Sequence, residues 1–185
     1  MKIIRHILGL VVGVGFHGVI VPYLIIHANR AIDRYLGLPE IGAGALRVPL
    51  GVFLLSVGLL FIAWANIFLA LRGRGGPLHY GDLVTISPKT ERLVTTGPYR
   101  YTRNPMIFGV ISAYLAIPIF QGSPTGLFLY VVLCLPGAFL YIIYVEERWL
   151  ERDFRDEFIQ YKNAVSMLIP LPPRKESNRG HFRAP

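Results

Sequence analysis

Residues 93–109 read LVTTGPYRYTRNPMIFG, and farther along the chain two adjacent acids, Glu146 and Glu147, follow a second apolar run. The stretch changes character in the middle. Up to Asn104, aromatic and apolar side chains (Leu93, Val94, Tyr99, Tyr101) alternate with Arg92, Arg100 and Arg103, the pattern of a loop folded back onto a membrane face. Pro105 then opens an apolar helix, with proline in the first turn, where its missing N–H costs nothing. The run from Met106 to Phe120 is short for a full crossing of about 30 Å. Short membrane helices are tolerated where their ends face protein or a water-filled cavity, and such places hold sites. Gln121-Gly122-Ser123-Pro124 is an uncharged turn, and Thr125–Val145 returns as a longer apolar run kinked at Pro136-Gly137. Two helices in a hairpin, with the arginine-rich loop and the acids at one end, set the fold.

Outward from that hairpin the rest of the chain is also apolar. Of its 185 residues 53% are hydrophobic, more than a soluble core of this size can bury. Lys2, Arg5 and His6 precede Ile7–Ile26, a run longer than a signal-peptide core and followed by His27-Ala28-Asn29-Arg30, a poor cleavage site. It reads as a first transmembrane helix, and Gly9, Gly13, Gly15 and Gly18 would let another helix approach it closely. His17 is ionisable within that span and must face protein or water. The loop 28–47, with Pro39 and several glycines, carries no apparent chemistry. A second span runs from Val48 to Leu71, and its Asn66 reads as a helix-to-helix hydrogen-bonding group. The loop 72–104, with Pro77, Pro88 and Pro98, is longer than ordinary connections. Cys134 has no partner and reads as a packed thiol.

The net charge of +8 raises the question of nucleic acid, but the basic residues lie between apolar spans. Sixteen of the 19 Lys and Arg fall on one side of the four spans and 3 on the other, which puts both termini and the long loop in the cytoplasm. In a prokaryote that means the inner membrane. After Glu146, the residues Leu150, Phe154, Phe158, Tyr161 and Val165 recur at helical spacing opposite Glu151, Arg152, Arg155, Asp156 and Glu157, the pattern of an amphipathic cytoplasmic helix. The expected fold is therefore all-α and polytopic: about four transmembrane helices, a short third one paired with the fourth, and the amphipathic helix. Residues 1–71 form an N-terminal helix pair, 72–170 a catalytic half and 171–185 a disordered tail. No residues are spaced for a metal.

The run TGPYRYTRNPMIFG, a short hairpin, and then EERWLERDFRDEFIQYKNAVSMLIP resemble the C-terminal half of the isoprenylcysteine carboxyl methyltransferase and phospholipid methyltransferase superfamily. The likeness covers roughly residues 93–170. It implies S-adenosylmethionine as cofactor, with Leu93, Val94, Gly97, Tyr99, Asn104, Pro105, Glu146, Glu147 and Tyr161 as its pocket. Arg103, Arg100 and Glu147 are the groups it implies for the chemistry. The implied reaction is methyl transfer to a lipophilic acceptor drawn from the bilayer, an isoprenoid or fatty carboxylate first. A lipid amine, a thiol, or a non-catalytic scaffold of the same fold remain open, as does the oligomeric state. Departures from the superfamily pattern are Ile107 for a tyrosine, Arg155 for a glycine and Phe158 for a tyrosine. Tyr141-Ile142-Ile143-Tyr144 stands where the prenylcysteine enzymes carry an arginine.

Overall fold

The computed structural model describes residues 9, 11–42, 44–73, 79–80, 84–85 and 90–174. Three helices are long and apolar enough to cross a membrane: α1 (Val11–Leu36), α2 (Gly44–Gly73) and α4 (Pro124–Ala164). A shorter apolar helix, α3 (Pro105–Gln121), lies between the last two. Among the described residues the regular structure is helical apart from a two-residue antiparallel ladder in the long loop, β1 (His79–Tyr80) against β2 (Val84–Thr85). Lys2, Arg5, His6, Pro77, Pro88 and residues 175–185 lie outside the described residues.

Helix α1 continues past the predicted end of its span because polar side chains in its last turns find partners on the α3–α4 turn. Asn29, which is buried, donates to the Gln121 side chain at 3.0 Å, and Gln121 in turn donates to the Ile26 carbonyl at 2.9 Å. Asp33 accepts the Ser123 hydroxyl and the Thr125 amide, the latter at 3.1 Å. A carboxylate is thereby placed at the N-terminus of α4, where free amides and the helix dipole favour it. Ser123 itself caps α4, accepting from the Gly126 amide at 2.9 Å.

The most extensive pairing is α2 on α3. It rests on a stripe the sequence carries at seven-residue spacing, Gly51, Gly58 and Ala65, all buried. A Cβ on Gly58 would sit 2.6 Å from both the Ala113 amide nitrogen and the Gly109 carbonyl oxygen, so the two backbones touch there. Gly15 and Gly18 have no such role: a Cβ on Gly15 meets nothing within 4 Å, and one on Gly18 meets only Val14 of its own helix. Asn66 does not bridge helices either; its amide bonds the Ile62 carbonyl one turn back, at 2.8 Å.

Helix α4 widens into π-helical turns at Tyr130–Cys134 and Ile142–Glu146. The first lies just ahead of Pro136, whose ring and missing N–H disrupt the preceding turn. Cys134 is on the outer face of that turn and exposed, not packed.

The expected amphipathic helix is present as residues but not as one straight element. At Arg155 the backbone adopts φ 43, ψ −119, breaking the helix. Lys162 then bonds Glu147 at 2.7 Å and Glu151 at 2.8 Å. In a straight helix Lys162 and Glu147 would be about 22 Å apart, so the chain reverses at Arg155. Phe158, Tyr161 and Val165 consequently pack with Leu93, Leu150 and Phe154 in one cluster, not as a stripe on a bilayer. Beyond the helix, Leu171 donates to the Tyr101 carbonyl at 2.9 Å and Arg174 to the Ala164 carbonyl at 3.0 Å, so residues 171–174 are held against the protein.

Two predictions follow from these backbone constraints. Arg155 is exposed and holds a conformation that costs a residue with a Cβ on the order of 1–3 kcal/mol. Arg155→Gly should therefore raise stability by about 1 kcal/mol in thermal unfolding of the detergent-solubilised protein. Gly58→Val should lower it by about 3 kcal/mol through overpacking against backbone, whereas Gly15→Ala should leave it nearly unchanged.

Candidate functional site

The loop preceding α3 is drawn under the membrane helices by three anchors. Glu91 donates its amide to the Gly73 carbonyl at 2.8 Å, joining the loop to the end of α2. Gly97, at φ 63, lies against the Phe68 ring, where any Cβ would overlap it. It opens a short 3-10 turn, Gly97–Arg100, that carries Tyr99 inward. Residues 101–104 then run alongside 166–171: Arg103 donates its amide to Ser166 at 2.8 Å, and the Thr102 hydroxyl and Asn104 amide group both reach the Met167 carbonyl, at 3.2 and 2.9 Å.

Arg103 is the centre of this arrangement. Its guanidinium is buried and donates Nη2 to Glu147 Oε1 at 2.6 Å, and Nη1 to the carbonyls of Lys162 and of Val165, the latter at 3.2 Å. Glu147, equally buried, takes Lys162 on its other oxygen. One cation thus ties the start of α3 to both arms of the reversed α4. The Nε–H of Arg103 is buried and has no partner.

Beside this pair lies a cavity of about 490 Å³. The loop lines it with Leu93, Val94, Tyr99, Arg103 and Asn104, and α3 begins on its wall with Pro105. Helix α4 adds Tyr141, Glu146 and Tyr161, and α1 adds His17. Of the residues expected from the sequence, Leu93, Val94, Tyr99, Asn104, Pro105, Glu146, Tyr161 and Arg103 therefore come together around one space. Gly97, Arg100 and Glu147 do not line it: Gly97 packs on Phe68, Arg100 is exposed, and Glu147 is turned away into its ion pair with Arg103.

The two neighbouring acids differ because they lie about 100° apart around the helix. Glu146 faces the cavity, where it accepts the Tyr141 hydroxyl at 3.1 Å. Burial, and secondarily the Glu146 carboxylate nearby, hold the Tyr99 phenol well above its usual range, so Tyr99 keeps its proton at neutral pH. Tyr161 donates its hydroxyl to the Tyr99 carbonyl at 2.6 Å and so fixes the turn that presents this ring. Met106, Ile107 and Val110 of α3 and Gly137 and Ala138 of α4 add apolar lining. Sequence reasoning did not assign these residues. Ile107 stood out only as a departure, and an alternating apolar wall gives no signal within a span that is apolar all round.

Removing one partner of the buried pair leaves the other charge uncompensated, a loss of about 3–5 kcal/mol. Glu147→Ala and Arg103→Ala should each show that loss in thermal unfolding. Glu146→Ala, at a cavity wall, should change stability far less. Equal losses for Glu146 and Glu147 would contradict the division of roles.

Residues 46–157 match the family model described as phospholipid methyltransferase. The phosphatidylethanolamine N-methyltransferase of Rattus norvegicus is 32% identical over 113 residues, 61% of this chain and 50% of that protein. The chain thus spans about half the length of the curated relative it matches. No solved structure matches. The matched segment runs from the start of α2 through the two acids, and on that extent the chain belongs to the phospholipid methyltransferase family.

Proposed function

We propose that the cavity holds S-adenosylmethionine and that the protein transfers its methyl group to the amine headgroup of a phospholipid. The observation that carries this reading is the charge of the cavity: one carboxylate, Glu146, among the tyrosines Tyr99, Tyr141 and Tyr161, with the neighbouring cation already committed to Glu147. Such a wall suits a ligand bearing an ammonium and a sulfonium, through a charge-assisted hydrogen bond and aromatic faces. The unpartnered Nε–H of Arg103 is the donor that the ligand's own carboxylate would satisfy. A space of about 490 Å³ is within the range of cofactor pockets. When bound, the donor supplies a methyl carbon whose bond to sulfur breaks with the electron pair remaining on sulfur.

The choice of an amine over a carboxylate acceptor rests on the same cations. Arg100 is exposed outside the cavity, Arg148 stacks on Tyr144 at 5.3 Å, and Lys162 pairs with Glu147 and Glu151. None of these faces the cavity to hold an acceptor carboxylate, and Arg103, which does line it, is taken up by Glu147 and the cofactor's own carboxylate. The relative's name, phosphatidylethanolamine N-methyltransferase, agrees with an amine acceptor. The apolar residues of α3 and α4 on the cavity would give the acyl chains a path from the bilayer, and the distribution of Lys and Arg supports a cofactor end at the cytoplasmic face. The chain's own residues here bind, orient and exclude water; the positioning accounts for the rate.

Calorimetry of the detergent-purified protein with S-adenosylmethionine and S-adenosylhomocysteine should give micromolar binding, about −8 kcal/mol. Glu146→Ala should weaken it about tenfold or more, the worth of one hydrogen bond to a charged group. Labelled methyl should then appear on phosphatidylethanolamine in vesicles. Absence of binding by folded wild type would favour a non-catalytic scaffold; binding with transfer only to carboxylates or thiols would overturn the amine acceptor.

A further inference from the structure

The matched family segment begins at residue 46, yet the cavity has a wall that comes from α1, and on that wall is His17. We propose that His17 takes the proton from the acceptor's ammonium nitrogen, so that the N-terminal helix supplies the base of the site. The inference rests on the methyltransferase reading above and adds the residue that makes the nitrogen nucleophilic.

An imidazole in an apolar span is costly unless it meets protein or water, and the fold places this one at the cavity. It lies in the π-helical turn Phe16–Ile20, a widened turn of the kind often found at functional sites. The turn is held from α3: Tyr114 donates its hydroxyl to the His17 carbonyl at 2.8 Å. Phe16 meets the imidazole edge-on with ring centroids 5.0 Å apart. The backbone that carries the ring is thus tied to α3.

Among the described residues, the other ionisable groups on the cavity are Tyr99, Arg103, Tyr141, Glu146 and Tyr161. Phenols and a guanidinium do not accept protons near neutral pH. Glu146 is the counter-charge for the cofactor in the reading above and already accepts the Tyr141 hydroxyl. Tyr114, a phenol, donates to the His17 carbonyl, and the first turns of α4 that also pack on α1, PTGLFL, carry no ionisable side chain. Histidine is the side chain suited to exchanging a proton at this pH.

The step balances. An N–H bond of the ammonium headgroup breaks, its pair stays on nitrogen, and the proton bonds to an imidazole nitrogen of His17. The freed pair forms the bond to the methyl carbon as that carbon's bond to sulfur breaks, its pair going to sulfur. The methylated headgroup leaves as a cation, and His17 releases one proton to water.

The test compares wild type with His17→Gln and His17→Ala on phosphatidylethanolamine vesicles across a pH series. S-adenosylhomocysteine affinity is measured on the same preparations. Both variants should bind S-adenosylhomocysteine within about twofold of wild type. They should lose about a hundredfold or more in kcat, the usual range for a general base, and the acid limb of the wild-type pH profile should disappear. Added imidazole should restore part of the rate to His17→Ala. In wild type with S-adenosylhomocysteine bound, the ¹⁵N imidazole signal that His17→Gln removes should shift on addition of phosphatidylethanolamine but not of phosphatidylcholine, which has no N–H to donate. Variants with near-wild-type kcat and an intact acid limb would overturn the proposal and point to Glu146. Loss of S-adenosylhomocysteine binding in both variants would also overturn it, making His17 a packing residue. A wild type that binds cofactor but methylates no amine would instead refute the acceptor reading on which this one stands.

Discussion

A guanidinium buried between carbonyls and a carboxylate holds this site together. Arg103 joins the loop before α3 to Glu147 on one arm of α4 and to the Lys162 and Val165 carbonyls on the other. A buried ion pair gains little over apolar packing, but once present neither partner can be removed cheaply. Its consequence is geometric. The reversal of α4 at Arg155, the cluster around Phe158 and the docking of 166–171 against 101–104 all converge on the same guanidinium. With Glu147 committed behind the wall, Glu146 is the one carboxyl among the described residues that lines the cavity.

The membrane part supplies the complementary constraint. Lipid gives no hydrophobic drive for helix pairing, so close backbone contact has to supply it. The stripe Gly51, Gly58, Ala65 lets α2 lie directly on α3, which fixes where Pro105 begins its helix and therefore where the loop ends. The contacts of Asn29 and Asp33 with the α3–α4 turn secure the opposite end and bring α1 alongside, His17 included. The cavity is what remains between a tightly zipped pair of helices and two others held by polar ties at their ends.

Much of this was legible in the sequence. Four apolar runs, a proline at the start of α3 and the loop pattern of aromatics and arginines give the helices and the members of the cavity from the loop. Other features were hidden for stated physical reasons. The run Leu150–Val165 has clean helical periodicity, and nothing in periodicity reveals a reversal; the only sign was Arg155 at a position where the superfamily pattern has glycine. Gly15 and Gly18 in α1 suggested close packing but meet no other helix, while the operative stripe ran at seven-residue spacing in α2. The adjacent acids looked equivalent, and only burial and partners separate their roles. His17 was visible as an anomaly in its span, but its place on the same cavity as Glu146, far away in sequence, depends on the packing of α1 against α3.

The central claim is that Glu146 faces a bound cofactor while Glu147 belongs to Arg103. A structure of the protein with S-adenosylhomocysteine bound tests it most directly. The account predicts the ligand's amino group at Glu146, its carboxylate at Arg103 Nε, and the Arg103–Glu147 pair intact. Ligand bound elsewhere, or Glu147 swung away from Arg103 to meet it, would contradict the account.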